Sequence, residues 1–462
     1  MPYKLKVSKL LGLLFISVMA HAQTPIDTLI HLKDAVQMAE ERYHLLQADK
    51  YETEAAQKNI ALAKYGRKPT IDASYQANLG TANNLTGLFY PGGILPMTGP
   101  PSTANNYHPA TGSAASLLLN WEAVTFGQRT AQINASIAEA NVSEKNSEQN
   151  IFKHKINVIS AYLDVLLSYD LVRIQEYNIQ RVDTNLKQSR ILSLTGIKPG
   201  VDTAFFLSER SRAKILYLNA RQELENQQWQ LARLLVTDAL PVPVDTAFLN
   251  KLPAAVLPPD TSFASHPVIQ YAESQIKSSQ SKEAFLKKSF LPKINIWSTT
   301  FARGSGFQAD GQIKLGDGLL LSRYNYGAGA QIIFPIMKYG EIKHQVQQQN
   351  FLSKAAQERL EESKSELNTQ MHIANTSFRS SLEVVSESLQ SFKSASYAFN
   401  ATRLRYNTGL MNISDIAQAQ FNLLQAELDI KRAYWNVWKA KLLEAAVKGD
   451  VNIFLKEIDP AQ

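Results

Sequence analysis

Two aspartates stand at equivalent points of two similar turns. The segments Leu194-Thr195-Gly196-Ile197-Lys198-Pro199-Gly200-Val201-Asp202 and Asn407-Thr408-Gly409-Leu410-Met411-Asn412-Ile413-Ser414-Asp415 each place an Asp six residues after a Thr-Gly pair. A Gly at such a point suits the left-handed cap of a helix, and the Asp then falls where the next helix begins. Its carboxylate has two available roles. It can accept hydrogen bonds from free amides at a helix start, or, gathered with copies of itself around an axis, it can attract cations and raise its own proton affinity. Spacing alone leaves both roles open for Asp202 and Asp415.

Other chemistry is hard to find. The chain has 462 residues and no Cys, which excludes disulfide scaffolds, thiolate metal sites, iron-sulfur ligation and cysteine nucleophiles. Eight His, at 21, 31, 44, 108, 154, 266, 344 and 372, form no ligand-spaced cluster. Gly304, Ser305, Gly306 and Gly311 imitate a phosphate loop, but no helix follows them closely, so a hairpin loop is the expected structure. No Ser, His and Asp set and no paired-carboxylate site stands out. The sequence therefore predicts no enzyme, no cofactor and no metal site.

Residues 1–22 read as a secretory signal, with Lys4, Lys6 and Lys9, an apolar core from Leu10 to Ala20, and the small-residue pattern Ala20, His21, Ala22. The apolar core is far shorter than the roughly 20 residues of a spanning helix. Its removal lowers the formal charge from +7 to +4, and nucleic-acid binding is not indicated.

The elements that would position the two turns occur twice. A shift of 213 residues brings Phe126, Gly127 onto Tyr339, Gly340 and Arg190 to Asp202 onto Arg403 to Asp415, with 69 residues from Gly to Gly in each copy. Lys68, Pro69, Thr70, Ile71 resembles Leu291, Pro292, Lys293, Ile294. We read a first repeat over 23–240, a proline-rich linker over 241–265, a second repeat over 266–450 and a tail over 451–462. Each repeat is a helix, two strands, a long helix and a returning helix. The strands are placed at 68–80, 113–125, 292–302 and 324–337, the long helices at 127–195 and 340–408, and the returning helices at 200–237 and 413–448.

Ile71, Ala73, Tyr75, Ala77 and Leu79 alternate with polar residues, as do Tyr326, Ala328, Ala330, Ile332 and Phe334. No charged residue occurs from Ala73 to Trp121 or from Tyr324 to Met337, so these strands can lie against lipid. Their length, about ten residues, suits tilted membrane strands, although a soluble sandwich with a low-charge surface would also alternate. Four strands cannot close a barrel, since the smallest membrane barrels have about eight. Two copies would give eight and three would give twelve. The long helices have only a thin apolar seam, including Leu360, Leu367, Met371, Ala374 and Phe378, and so expect water on a wide face.

The signal segment, the duplicated strand-and-helix plan and the two Thr-Gly turns together resemble the TolC family of outer membrane efflux proteins, over about residues 30 to 450. That resemblance implies a mixed α+β membrane protein, a homotrimer with a 12-stranded β-barrel in the outer membrane and a helical tunnel through the periplasm. It implies a passive exit duct for efflux or secretion, working with a periplasmic adaptor and an inner-membrane pump. Thr195, Gly196, Ile197 and Thr408, Gly409, Leu410 would be the adaptor-docking tips, and Tyr406, Asp415, Gln418 and Asp202 would belong to the pore gate. Where relatives can carry a second acidic residue this chain has Gln418, and where they can carry a latching Arg it has Met411, which implies one carboxylate ring and a weaker latch. The rival reading is a periplasmic adaptor or structural coiled-coil protein without a pore.

Overall fold

The computed structural model describes residues 29–81, 83, 103–244, 250–253, 263–308 and 310–458. The expected signal segment, most of the loop after the first membrane strand and much of the 241–265 linker lie outside them. In chain order the elements are β1 (Leu29–Ile30), α1 (Leu32–Arg42), α2 (His44–Tyr65), β2 (Thr70–Gly80), β3 (Ala110–Val124), α3 (Gln128–Leu194), α4 (Val201–Leu235) and β4 (Val242–Pro243), then α5 (Pro267–Lys288), β5 (Lys293–Ser305), β6 (Arg323–Ile333), α6 (Tyr339–Asn407), α7 (Ile413–Lys448) and α8 (Asn452–Ile458). The duplication is visible in the lengths. Both α2 and α5 have 22 residues, α3 and α6 have 67 and 69, and α4 and α7 have 35 and 36.

At about 1.5 Å per residue, α3 and α6 are each on the order of 100 Å long. They run side by side with shorter helices between and around them. Near the sheet, α3 packs on α2 and α5, and α5 packs on α6; toward the far end, α3 packs on α4 and α7, and α7 packs on α6. No helix among the described residues is long and apolar enough to cross a membrane.

The four long strands form one antiparallel sheet in the order β2-β3-β5-β6. Its register brings the alternations of all four strands into phase. Ile71 faces Leu119, Leu117 faces Ala73 on one side and Thr300 on the other, and Ala330 faces Ile296, so one face carries the apolar set. The other face carries Asp72, Ser74, Gln76, Ser116, Asn120, Asn295, Asn325 and Gln331, cross-linked by Ser74 to Ser116 at 2.8 Å and Asn295 to Asn120 at 2.7 Å. Among the described residues nothing covers the apolar face of the edge strands, and Tyr326 is 93% exposed. A water-soluble sandwich would bury that face, whereas a membrane strand presents it to lipid.

The alternation along β5 is less regular than in its neighbours because Trp297 and Phe301 lie on the polar side. Trp297 rests across Gly329 and Gly327, where a Cβ on Gly329 would come within 2.8 Å of the indole. On the lipid side Ser298 and Thr300 donate to the carbonyls of Gly327 and Asn325, so their hydroxyls are satisfied without water. At the foot of the sheet Glu122 accepts from Arg129 at 2.7 Å and from Lys293 at 3.1 Å, pinning the start of α3 to the strands. The turn between them uses a left-handed Gly127, with φ 87°. Its counterpart Gly340 lies inside the first turn of α6, so the matching Phe-Gly and Tyr-Gly pairs serve different backbone conformations.

The main core lies midway along the helices. Val158, Ile159, Tyr162, Leu163 and Leu166 of α3 meet Leu231 and Leu235 of α4, Trp438 and Leu442 of α7, and α1. A two-residue parallel ladder of β1 with β4 closes this collar, and Tyr162 donates to the Ile30 carbonyl at 2.8 Å. The segment read as a tail is part of the collar. Phe454 of α8 is fully buried, edge-on to Trp438 with ring centroids 5.7 Å apart, and buried Lys441 reaches Glu457 at 3.6 Å. A seven-residue helix carries little sequence periodicity, which is why it was not foreseen. Truncating Phe454 to Ala is expected to destabilise the collar by about 3–5 kcal/mol. Chemical denaturation followed by circular dichroism measures this, and a loss below about 1 kcal/mol would show that α8 does not hold the core.

Candidate functional site

Both tips end in the same hydrogen-bonded turn. At the end of α3 the amide of Ile197 donates to the Leu192 carbonyl at 2.9 Å and that of Gly196 to Ser193 at 3.2 Å; at the end of α6, Leu410 donates to Arg405 at 2.9 Å and Gly409 to Tyr406 at 3.0 Å. Gly196 and Gly409 supply the left-handed step, with φ 75° and 81°. Thr195 and Thr408 turn their hydroxyls back onto carbonyls of the last helical turn. The side chains beside the turns are apolar and open to water, with Leu194 at 89%, Leu410 at 78% and Ile197 at 58% exposure.

The two turns lie against each other, and a residue to which the sequence reading gave no role connects them. Lys198, just past the first turn, donates to the carbonyls of Met411 at 2.9 Å and Gly409 at 3.4 Å and lies 5.5 Å from the Tyr406 ring centre. It brings a cation to carbonyls left free after α6, where the helix dipole is negative. Behind it Tyr406 is fully buried and donates to Asp202 Oδ2 at 3.0 Å. Burial, reinforced by the nearby Asp202 carboxylate, pushes the Tyr406 hydroxyl up to about 12. Asp202 is itself buried in the first turn of α4. Its carboxylate therefore serves the contact between the two tips from within.

A polar seam continues upward between α3 and α7. Asn185 donates to Gln420 at 2.8 Å, Gln420 donates to Asn178 at 3.2 Å, and Arg181 grips Glu427 through two contacts of 2.6 Å. These groups are sheltered, so the two helical hairpins of the protomer are joined by bonds that need their partners in register.

Asp415 is placed differently. Its carboxylate accepts from the Asn412 amide at 3.1 Å, closing a capping box at the start of α7, and it is also exposed along a groove of about 750 Å³ between α6 and α7. The two roles considered from sequence are thus geometrically compatible. Gln418 lies on the same groove and donates to Asn422 at 2.8 Å. The stripe continues through Gln425 to Asp429, spaced by three and four residues, so a second carboxylate does stand on this face, two heptads above the first. The heptad spacing of 415, 422 and 429 was the available signal for it.

The sequence matches the family model described as outer membrane efflux protein over residues 35–236 and 259–438, most of the chain. The chain belongs to that family. No curated protein sequence matches it significantly. Among solved structures, the CmeC outer membrane channel of Campylobacter jejuni is 15% identical with a TM-score of 0.72, covering 90% of this chain and 85% of that one. A CusC structure is 15% identical with a TM-score of 0.74, covering 91% and 92%. The MtrE outer membrane channel of Neisseria gonorrhoeae, in its open state, is 16% identical with a TM-score of 0.67, covering 91% and 90%. At these identities the likeness is one of fold, and the family is one of channels and not of enzymes. As an outer membrane efflux protein, this chain is an exit duct of the outer membrane with a helical extension into the periplasm.

Replacing Tyr406 by Phe leaves the Asp202 carboxylate buried without its donor and is expected to cost about 1–3 kcal/mol of tip stability. Chemical denaturation of the purified channel measures it, and an unchanged midpoint would show that this hydrogen bond holds nothing. Alkaline titration gives a second reading. An unfolded Tyr loses its proton near pH 10, while folded Tyr406 keeps it to about 12. The latch's contribution is full below pH 10 and falls as pH rises across that window. The phenolate absorbance of wild type minus that of Tyr406→Phe should therefore show no rise between pH 9 and 11.

Proposed function

We propose that three copies of this chain close head to tail into a single conduit whose far end is a gate formed by the paired tips. The observation that carries this reading is the coincidence of open edges. Among the described residues β2 and β6 lack a partner on their outer sides, and in the helical layer the order across the protomer is α2, α3, α5, α6 near the sheet and α4, α3, α7, α6 near the tips. The unpaired edges of both layers therefore fall on the same two sides, so one rotation joins β6 to the next β2 and α6 to the next α2 and α4. A repeated head-to-tail contact of this kind closes into a ring when the rotation permits. Two copies would give an eight-stranded barrel filled by its own side chains, and three give twelve strands around open space.

Solutes would pass through the polar interior without tight binding. At the far end, the exposed apolar residues around Thr195, Gly196 and Ile197 and around Thr408, Gly409 and Leu410 suit the helical hairpins of a periplasmic adaptor, which in turn would connect the duct to an inner-membrane pump. Asp415, with Gln418 above it and Asp429 beyond, would line the entrance, while Tyr406, Asp202 and Lys198 hold it shut. Lys198 supplies from the first tip the bridge that Met411 does not supply from the second, so the latch is not weaker for want of an Arg there.

Reconstitution tests this. Purified protein in lipid bilayers should conduct as a trimer with modest cation preference and block by divalent cations, and Asp415→Ala should reduce both. A stable monomer, or a protein that never conducts, would favour the rod-like adaptor reading; conduction with unaltered selectivity in Asp415→Ala would remove Asp415 from the gate. Lys198→Ala is expected to increase the conductance of the resting channel several-fold by loosening the tips, an effect that an inert surface lysine would not produce.

A further inference from the structure

We propose that Arg303 and Arg323 form an anion-binding collar on the inner wall of the duct at its outer mouth, taking dissolved polyvalent oxyanions of the phosphate and pyrophosphate kind. The two arginines are cross-strand partners of β5 and β6. Both belong to the polar phase of the sheet, the phase of Asp72, Ser116, Asn295 and Asn325, which faces the lumen when the apolar phase faces lipid. The Arg303 guanidinium lies over the Phe301 ring at 5.5 Å, and Phe301 is on that same face. Like charges directly opposite each other weaken a strand pair, so this pairing costs the sheet something that a structural role does not return.

Nothing nearby neutralises them. Among the described residues no carboxylate lies within ion-pair distance of either guanidinium. Across the sheet at the same level stand Ala114, opposite Arg303, and Gln76, opposite Ala114, both uncharged. The hairpin that joins β5 to β6 also turns away from them. Gly304 and Ser113 are neighbours on the lipid-side phase and are buried beneath it, and a Cβ on Gly304 would lie 2.2 Å from the Leu320 carbonyl. Gly318 meets Thr111 on that same outer side. The hairpin thus covers the outer surface of the strands and leaves the inward arginines open. Guanidinium groups match phosphate oxygens with two parallel donors, which selects polyvalent oxyanions over chloride.

The collar rests on the trimeric duct reading, which would bring six guanidiniums into one ring at the exit. The test uses the reconstituted channel in phosphatidylcholine bilayers with inorganic pyrophosphate in both compartments. Wild type should be blocked, less so as salt rises. The Arg303→Gln/Arg323→Gln variant should need about tenfold more pyrophosphate, as expected for two water-exposed ion pairs lost. The Arg303→Lys/Arg323→Lys variant keeps the charge without the fork and should fall between them. Normal conductance with equal block in wild type and the Gln variant would overturn the collar alone. Absence of any conductance in wild type would overturn the duct and the collar with it.

Discussion

The unpaired backbone along β2 and β6 governs the rest of the molecule. Amide and carbonyl groups facing hydrocarbon have no water to satisfy them, and each costs several kcal/mol if left alone. A sheet whose apolar face is formed by Ile71, Leu117, Tyr326 and Ile332 belongs in lipid, yet two of its edges are open there. The protomer is therefore half of a contact at each side. In the proposed trimer the same requirement would fix the helices, because a rotation that pairs strand edges at one end would also pack α6 on α2 and α4 over about 100 Å. Internal duplication would ease this, since near-equal units spaced around a ring would let one packing geometry recur within and between protomers.

The two hairpins of the protomer are joined differently along their length. The collar, with Tyr162, Trp438 and Phe454 packed at its centre, is apolar and tight, and apolar packing of this kind does not slide in small steps. Toward the tips the two hairpins share a second apolar cluster, Leu186, Leu192 and Phe206 with Phe399, Ile416 and Leu423, and add polar links through Asn178, Arg181 and Asn185 against Gln420 and Glu427. Directional bonds have discrete made and broken arrangements, which would suit the proposed gate. The single-residue links at the very end, Tyr406 to Asp202 and Lys198 to the Met411 carbonyl, lie where the lever arm is longest.

The sequence displayed those features that arise from local repetition. Alternation marked β2 and β6 because their two faces differ in chemistry, and the recurring Thr-Gly turns marked both helix ends because only Gly takes the left-handed step cheaply. The fold class and the duplication followed from these. What sequence did not display depends on contacts between distant segments. Lys198 looked like a surface lysine until the second tip lay beside it, and the buried position of Asp202 follows from Tyr406, 204 residues away. Trp297 and Phe301 interrupt the alternation of β5, and their places on the polar face depend on Gly329 and on Arg303. The helix α8 carries too few residues for periodicity, and its burial is wholly a matter of tertiary packing.

Two pairs of like charges stand at opposite ends of the chain's long axis. Carboxylates Asp415 and Asp429 face the groove near the tips, whereas Arg303 and Arg323 stand at the opposite end of the sheet from the helices. Over about 100 Å of water-filled length, with fields screened within about 8 Å at physiological salt, the two ends act independently. A conduit charged with one sign throughout would retain or exclude whole classes of solute. On the proposed reading the Asp415 groove would attract cations and the Arg303 and Arg323 pair anions, each at one end, where screened binding is weak enough for release. Selection of cargo is then left to whatever engages the apolar tips.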